Sequence, residues 1–120
     1  MRYMLFIHLD ESQMPKSPAD KGYEMLAAYG AYNEALKKAG IYLAGDRLTP
    51  SATTTQVRIA DGKTSVLDGP YAETREQIGG YYIIEAEDLD SAIAWAARCP
   101  GANHGTIEVR LIWEATSVAQ

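Results

Sequence analysis

The chain has 120 residues, a formal charge of −5 at pH 7 and one cysteine. That length fits one domain, which buries roughly two-thirds of the surface its unfolded chain exposes and needs no covalent staple. The acidic balance, with no basic face, excludes a nucleic-acid binder that works by phosphate neutralisation and a protein held on an anionic membrane.

The lone Cys99 cannot form an internal disulfide, which fits a reducing compartment and makes the cytoplasm the expected location. The N-terminal apolar run is short, carries His8 and stops at Asp10 and Glu11. It reads as a strand over residues 3–9, not as a signal peptide. Being apolar on both faces, that strand is expected in the middle of a sheet. Residues 10–16 form a polar loop. Ser17-Pro18-Ala19-Asp20 is a helix start: Ser17 caps, Pro18 sits where a missing N–H is harmless, and Asp20 takes the capping-box position. The helix is expected to run to about Ala39. Met25, Tyr29, Tyr32 and Leu36 form its apolar stripe, widened by Leu26. Lys37 and Lys38 suit its negative end, and Gly40 stops it.

Residues 41–44 read as a short strand and residues 45–50 as a turn. Residues 55–60 and 63–67 read as strands joined by Asp61-Gly62, a type I′ hairpin signal. Residues 68–80 form a rigid polar connection, and residues 81–86 the next strand. Asp88 caps a second helix over residues 89–98, with Leu89, Ile93 and Ala96 as its stripe, Ala92 and Ala97 at the edge, and Pro100-Gly101 as its end. Residues 107–113 read as the last strand. Two helices cannot cover both faces of such a sheet, so they pack on one. The expected fold is α+β, a ferredoxin-like sandwich with an inserted β-hairpin and two helices on one face of an antiparallel sheet. The uncovered face keeps apolar and aromatic residues, which implies a partner. A homodimer packed face to face through the sheets is expected, with a cleft between the interface and the 68–80 connection.

The connection carries the most specific residues of the chain. Asp68-Gly69-Pro70-Tyr71-Ala72-Glu73-Thr74-Arg75-Glu76, followed by Gly79-Gly80-Tyr81, resembles the signature of the DGPF branch of the YCII-related family. Met1-Arg2-Tyr3-Met4-Leu5, Ala44-Gly45, Leu48-Thr49-Pro50, Val57-Arg58 and Gly105-Thr106-Ile107-Glu108-Val109-Arg110 agree in order, so the likeness covers nearly the whole chain. The resemblance implies a dimeric α+β barrel of ferredoxin-like units, related in shape to muconolactone isomerase. It also implies a cleft in which a His and an Asp form an acid–base pair. Asp68 matches the Asp of that pair. The His belongs near the entry to the first helix, but residues 10–30 contain none. Tyr71 replaces the family's Phe, and Leu111 stands where a Pro usually follows Glu-Val-Arg.

Asp68 reads either as turn chemistry, accepting from nearby backbone N–H groups, or as a cleft carboxylate acting as base or orienter. His104 in a loop and His8 in a strand are the candidate second acid–base groups, recommended by a side-chain pKa near neutrality. Arg110 lies among apolar residues of the last strand. It is expected either to be paired with a carboxylate of the protein or to anchor a substrate carboxylate. Glu73 and Tyr71 share the rigid connection with Asp68 and are candidate substrate contacts. Arg47 reads as an exposed turn residue. Tyr29, Tyr32, Tyr71, Tyr81 and Tyr82 read as an aromatic wall. The sequence holds no HExxH, no CxxC, no phosphate loop and no nucleophile elbow, so no metal and no cofactor is expected. Cys99 at a helix C-terminus is a poor nucleophile. The leading functional expectation is acid–base chemistry on a small carboxylate or carbonyl compound, such as lactone isomerisation or elimination. The alternative is a non-catalytic dimeric sensing or regulatory module, since DGPF-like proteins resemble accessory partners of regulators that include alternative sigma factors.

Overall fold

The computed structural model describes residues 1–14 and 22–114. The expected helix start at Ser17–Asp20 lies outside the described residues. The elements are β1 (Arg2–Leu9), α1 (Gly22–Lys38), β2 (Tyr42–Arg47), β3 (Thr55–Ala60), β4 (Lys63–Asp68), β5 (Gln77–Glu85), α2 (Leu89–Arg98) and β6 (Thr106–Leu111).

β1 is central, as its two apolar faces require. It pairs antiparallel with β5, Tyr3 facing Ile84, and with β6, Tyr3 facing Leu111. The sheet order is β2-β5-β1-β6, and β3 and β4 form a separate two-stranded sheet. With the hairpin set aside, this is the ferredoxin-like βαββαβ order. Period-two alternation sends Tyr3, Leu5, Ile7 and Leu9 to one face of β1, where they are buried with Tyr82 and Ile84 of β5. Tyr32 and Leu36 of α1, and Ala92, Ala96 and Cys99 after them, close that same face. The opposite face, with Met4, Phe6 and His8 half-buried, carries no helix among the described residues. Leu5, Leu36 and Ile84 are wholly enclosed. Each contributes about 1.5–3 kcal/mol of hydrophobic stabilisation.

Local chemistry accounts for the boundaries. The Asp88 carboxylate accepts from the Ser91 N–H at 2.8 Å, capping α2. Asp61 and Gly62 take φ of 52° and 74°, the left-handed pair that a type I′ turn needs. Three packing expectations are corrected. Leu26 is 61% exposed, and Leu89 and Ile93 are 51% and 48% exposed. The inward side of α2 is marked by Ala92 and Ala96, which are buried. β5 begins at Gln77, so Gly79 and Gly80 are strand and not connection. A Cβ on Gly80 would stand 2.9 Å from the Asp46 carbonyl oxygen. The glycine is therefore the condition for β2 to approach.

Candidate functional site

A cavity of about 380 Å³ opens between α1 and the helix-covered face of the sheet. Ile7, Leu9, Met14, Met25 and Leu26 give it apolar walls, while Tyr29, Asn33 and Tyr82 bring polar groups to it. Asp46, Arg47 and Tyr81 border it at the β2–β5 edge. A mostly apolar pocket with a few polar groups is the usual form of a small-molecule site.

The polar groups are organised. The Tyr82 hydroxyl donates to Asn33 Oδ1, tying the sheet to α1. Its ring lies against the bare face of Gly45, where a Cβ would come within 2.6 Å of ring carbon Cδ1. Tyr32 meets the Tyr82 ring edge-on with centroids 5.3 Å apart, and donates to the Trp95 carbonyl oxygen at 2.8 Å. The Tyr29 hydroxyl is buried with no hydrogen-bond partner among the described residues. Burial first, and the neighbouring Cys99 second, push the phenols of Tyr29, Tyr32 and Tyr82 far above their ordinary range. They are donors, not bases, at neutral pH. The Cys99 thiol is pushed up by the same burial, so it is no thiolate nucleophile.

Asp46 borders the cavity along the edge strand β2, but its carboxylate lies on the other face of the sheet: Gly45 pairs with Tyr82, whereas Asp46 pairs with Tyr81, which stands beside Phe6 on the open face. The carboxylate accepts from the Tyr81 hydroxyl at 2.7 Å. That bond holds the Tyr81 proton in place, raising its pKa. Arg47 follows at the mouth, exposed, with no salt bridge among the described residues.

The residues singled out from the sequence fall into two groups. His8 and Arg110 lie on the open face of the sheet. His8 Nε2 is 2.9 Å from Glu108 Oε1, the geometry of an oriented imidazole. Arg110 pairs with Met4 in register, four residues from His8 along β1 and so roughly 13 Å away. Of the two expectations for Arg110, pairing with a carboxylate of the protein is not met among the described residues. β6 is an edge strand, and Arg110 is exposed with no salt bridge among the described residues. His104, exposed, ends the turn before β6, at the His8 end of the sheet. Glu76 reaches the same end and accepts from the Thr106 hydroxyl at 2.9 Å.

The second group is Asp68, Tyr71 and Glu73. Asp68 closes the hairpin ladder opposite Thr55 and is exposed. Glu73 is exposed, and Tyr71, 82% exposed, takes no part in the aromatic wall. None of these six residues lines the cavity. Two residues that line the cavity stand outside the candidates above, Asn33 and Arg47. Asn33 carried a signal: it stands four residues after Tyr29, a poor helix former beside the apolar stripe. Among the described residues no cluster of three or more His, Cys, Asp or Glu is placed to hold a metal. No described helix is long and apolar enough to cross a membrane.

Comparison with known proteins adds three findings. The structure of 5-chloro-2-hydroxyhydroquinone dehydrochlorinase from Burkholderia phenoliruptrix AC1100, in complex with 2,5-dihydroxybenzoquinone, aligns over 95% of this chain and 94% of that one, with a TM-score of 0.54. At 20% identity that likeness establishes the shared α+β fold and nothing about activity. An uncharacterised protein of Rhizobium meliloti (strain 1021) is 32% identical over 112 residues, spanning 92% of this chain and 90% of the relative. The model of the YCII-related domain matches residues 1–116. The chain therefore belongs to the YCII-related family.

Proposed function

We propose that this protein is a small-molecule enzyme of the acid–base type, acting as a cytoplasmic homodimer on a compact carbonyl or carboxylate compound. The observation that carries the reading is the cavity beneath α1, with apolar walls and a few polar groups. Its walls suit a ring or a short carbon skeleton. The Arg47 guanidinium at the mouth suits a carboxylate or an enolate oxygen. The Asn33 side chain, its Oδ1 fixed by the Tyr82 hydroxyl, keeps its amide N–H groups to donate to a carbonyl oxygen. The dehydrochlorinase of similar fold holds a hydroxylated quinone, a flat ring of the size and oxygen pattern that such a cavity accepts.

The test is a ligand screen followed by turnover. Purified protein is screened by thermal shift against 2,5-dihydroxybenzoquinone, small lactones and small carboxylates. A ligand at a hundred times its dissociation constant stabilises by about 2.7 kcal/mol. Arg47→Ala should weaken anionic ligands tenfold or more. Asp46→Asn, Asp68→Asn, His8→Gln and His104→Gln in the same assay identify the proton acceptor, as the one whose loss keeps binding and abolishes turnover. If Arg47→Ala leaves anionic-ligand affinity unchanged, or none of the four lowers turnover, the reading is wrong.

The second reading, a non-catalytic sensing or regulatory module, is favoured by one observation. No histidine lines the cavity and its phenols stay protonated. Ligand binding without turnover in any condition would move the assignment there.

A further inference from the structure

The β3–β4 hairpin is the part of the molecule that the candidate site does not use. Every residue from 55 to 68 except Gln56 is exposed. Its root is firm. Gly69 N–H donates to the Thr54 carbonyl at 2.6 Å, and the Gln56 side-chain amide donates to the carbonyls of Gly69 and Pro70 at 3.0 and 2.8 Å. Ser51 N–H donates to Glu11 at 2.8 Å, fixing the preceding turn to the end of β1. Beyond the root, register sorts the side chains. Val57 faces Val66 and Ile59 faces Thr64 on one side, while Gln56–Leu67 and Arg58–Ser65 take the other. Val57, Ile59 and Val66 are 63%, 72% and 59% exposed.

Beyond each other, the two strands of this arm, β3 and β4, pack extensively on no described element. The shortest molecular dimension is 19 Å, about one helix layer on one sheet, against 52 and 49 Å for the other two. The radius of gyration is 16.7 Å, where a compact chain of this length gives about 14 Å. A two-stranded hairpin is marginal in water by itself, and an apolar face makes it an association surface.

We propose that this arm clasps a second copy of the chain, its Val57–Ile59–Val66 face lying on the partner. The inference rests on the homodimer part of the reading above and deepens it. Size supports it. Two six-residue strands present a face of about 200 Å², and the open four-stranded face about 400 Å², whereas a stable interface needs about 800 Å² per partner. Neither patch suffices alone; together they approach the requirement. Charge supports it too. Arg58 and Lys63 balance Asp61 and Asp68, so the arm is neutral on a chain of net charge −5. It can approach another copy without net repulsion.

The experiment is sedimentation equilibrium on the full chain. Val57→Thr/Ile59→Thr/Val66→Thr keeps β-branched residues on strands that are exposed in the single copy, so the fold is retained and circular dichroism verifies it. The dimer dissociation constant should rise a hundredfold or more. Leu67→Thr, on the hairpin's other face, should leave it unchanged. Phe6→Asp, on the open sheet face, should also dissociate the dimer. If Phe6→Asp dissociates it and the triple variant does not, the clasp is wrong and the face-to-face dimer stands. If Leu67→Thr acts as strongly as the triple variant, the face assignment is wrong. If the wild-type chain is monomeric at all concentrations, the dimer and the clasp fall together.

Discussion

Placing a ring inside the cavity by mutation separates binding from folding. Gly79 lines the cavity, and a Cβ built on it meets only ordinary contacts, Leu9 Cδ1 at 3.5 Å and the Ile7 carbonyl oxygen at 4.0 Å. Gly79→Phe therefore directs a benzene-sized ring beside Leu9 without a clash at its root. A cavity of about 150 Å³ suffices for benzene, so the plug occupies roughly two-fifths of the 380 Å³ present. Replacing a strand glycine regains about 0.5–1 kcal/mol, and burying part of the ring adds to that. The variant should be as stable as wild type or about 1–2 kcal/mol more stable, a rise in Tm of about 4 °C per kcal/mol at this size. Ligand affinity should fall at least tenfold. At a ligand concentration of a hundred wild-type dissociation constants, stabilisation then drops from about 2.7 to about 1.4 kcal/mol. Paired thermal scans with and without ligand measure both effects. A variant that keeps wild-type affinity would refute the cavity as the site. A loss of more than 1 kcal/mol without ligand would refute the packing on which the design rests.

Alkaline pH should unfold this protein early and steeply. Tyr32 and Tyr82, 4% and 6% exposed, keep their protons in the folded state, while unfolded phenols ionise at about pH 10. The folded form then binds more protons, so stability is intact below pH 10 and falls above it, by about 1.4 kcal/mol per pH unit for each buried phenol. Urea midpoints from pH 8 to 11 measure this, and a flat profile would contradict the burial. Tyr82→Phe leaves Asn33 Oδ1 without its donor and should cost about 1–3 kcal/mol in denaturant unfolding, together with carbonyl-ligand affinity. Asp88→Ala should cost about 0.5–2 kcal/mol by removing the α2 cap, with ligand affinity unchanged.

Local chemistry made the frame legible. Asp61-Gly62 names its turn because few residues accept positive φ, and Asp88 names a helix start because its carboxylate answers a free N–H. The two-sided apolar pattern of residues 3–9 gave β1 its central place, and two helices for one sheet gave the open face. The site was less legible because it depends on which strand is an edge and which residues lack a side chain. Arg110 looked buried among apolar neighbours, yet β6 has sheet on one side only. Gly79-Gly80 looked like loop, but Gly79 borders the cavity and Gly80 admits the β2 backbone. Arg47 looked like turn and lies at the cavity mouth. The DGPF signature starts at Asp68, where the hairpin ends, whereas the cavity is built from elements that sequence neighbours do not reveal, α1 against β1 and β5.

The most direct test of the central claim is a methyl NMR titration of the full chain with 2,5-dihydroxybenzoquinone. Saturable shifts at Ile7, Leu9, Met14, Met25 and Leu26, with Met4 and Ile83 of the open face unmoved, are the result this account predicts. Shifts confined to Met4 and Ile83, with the cavity methyls silent, would contradict it and move the site to the open face beside His8 and Glu108.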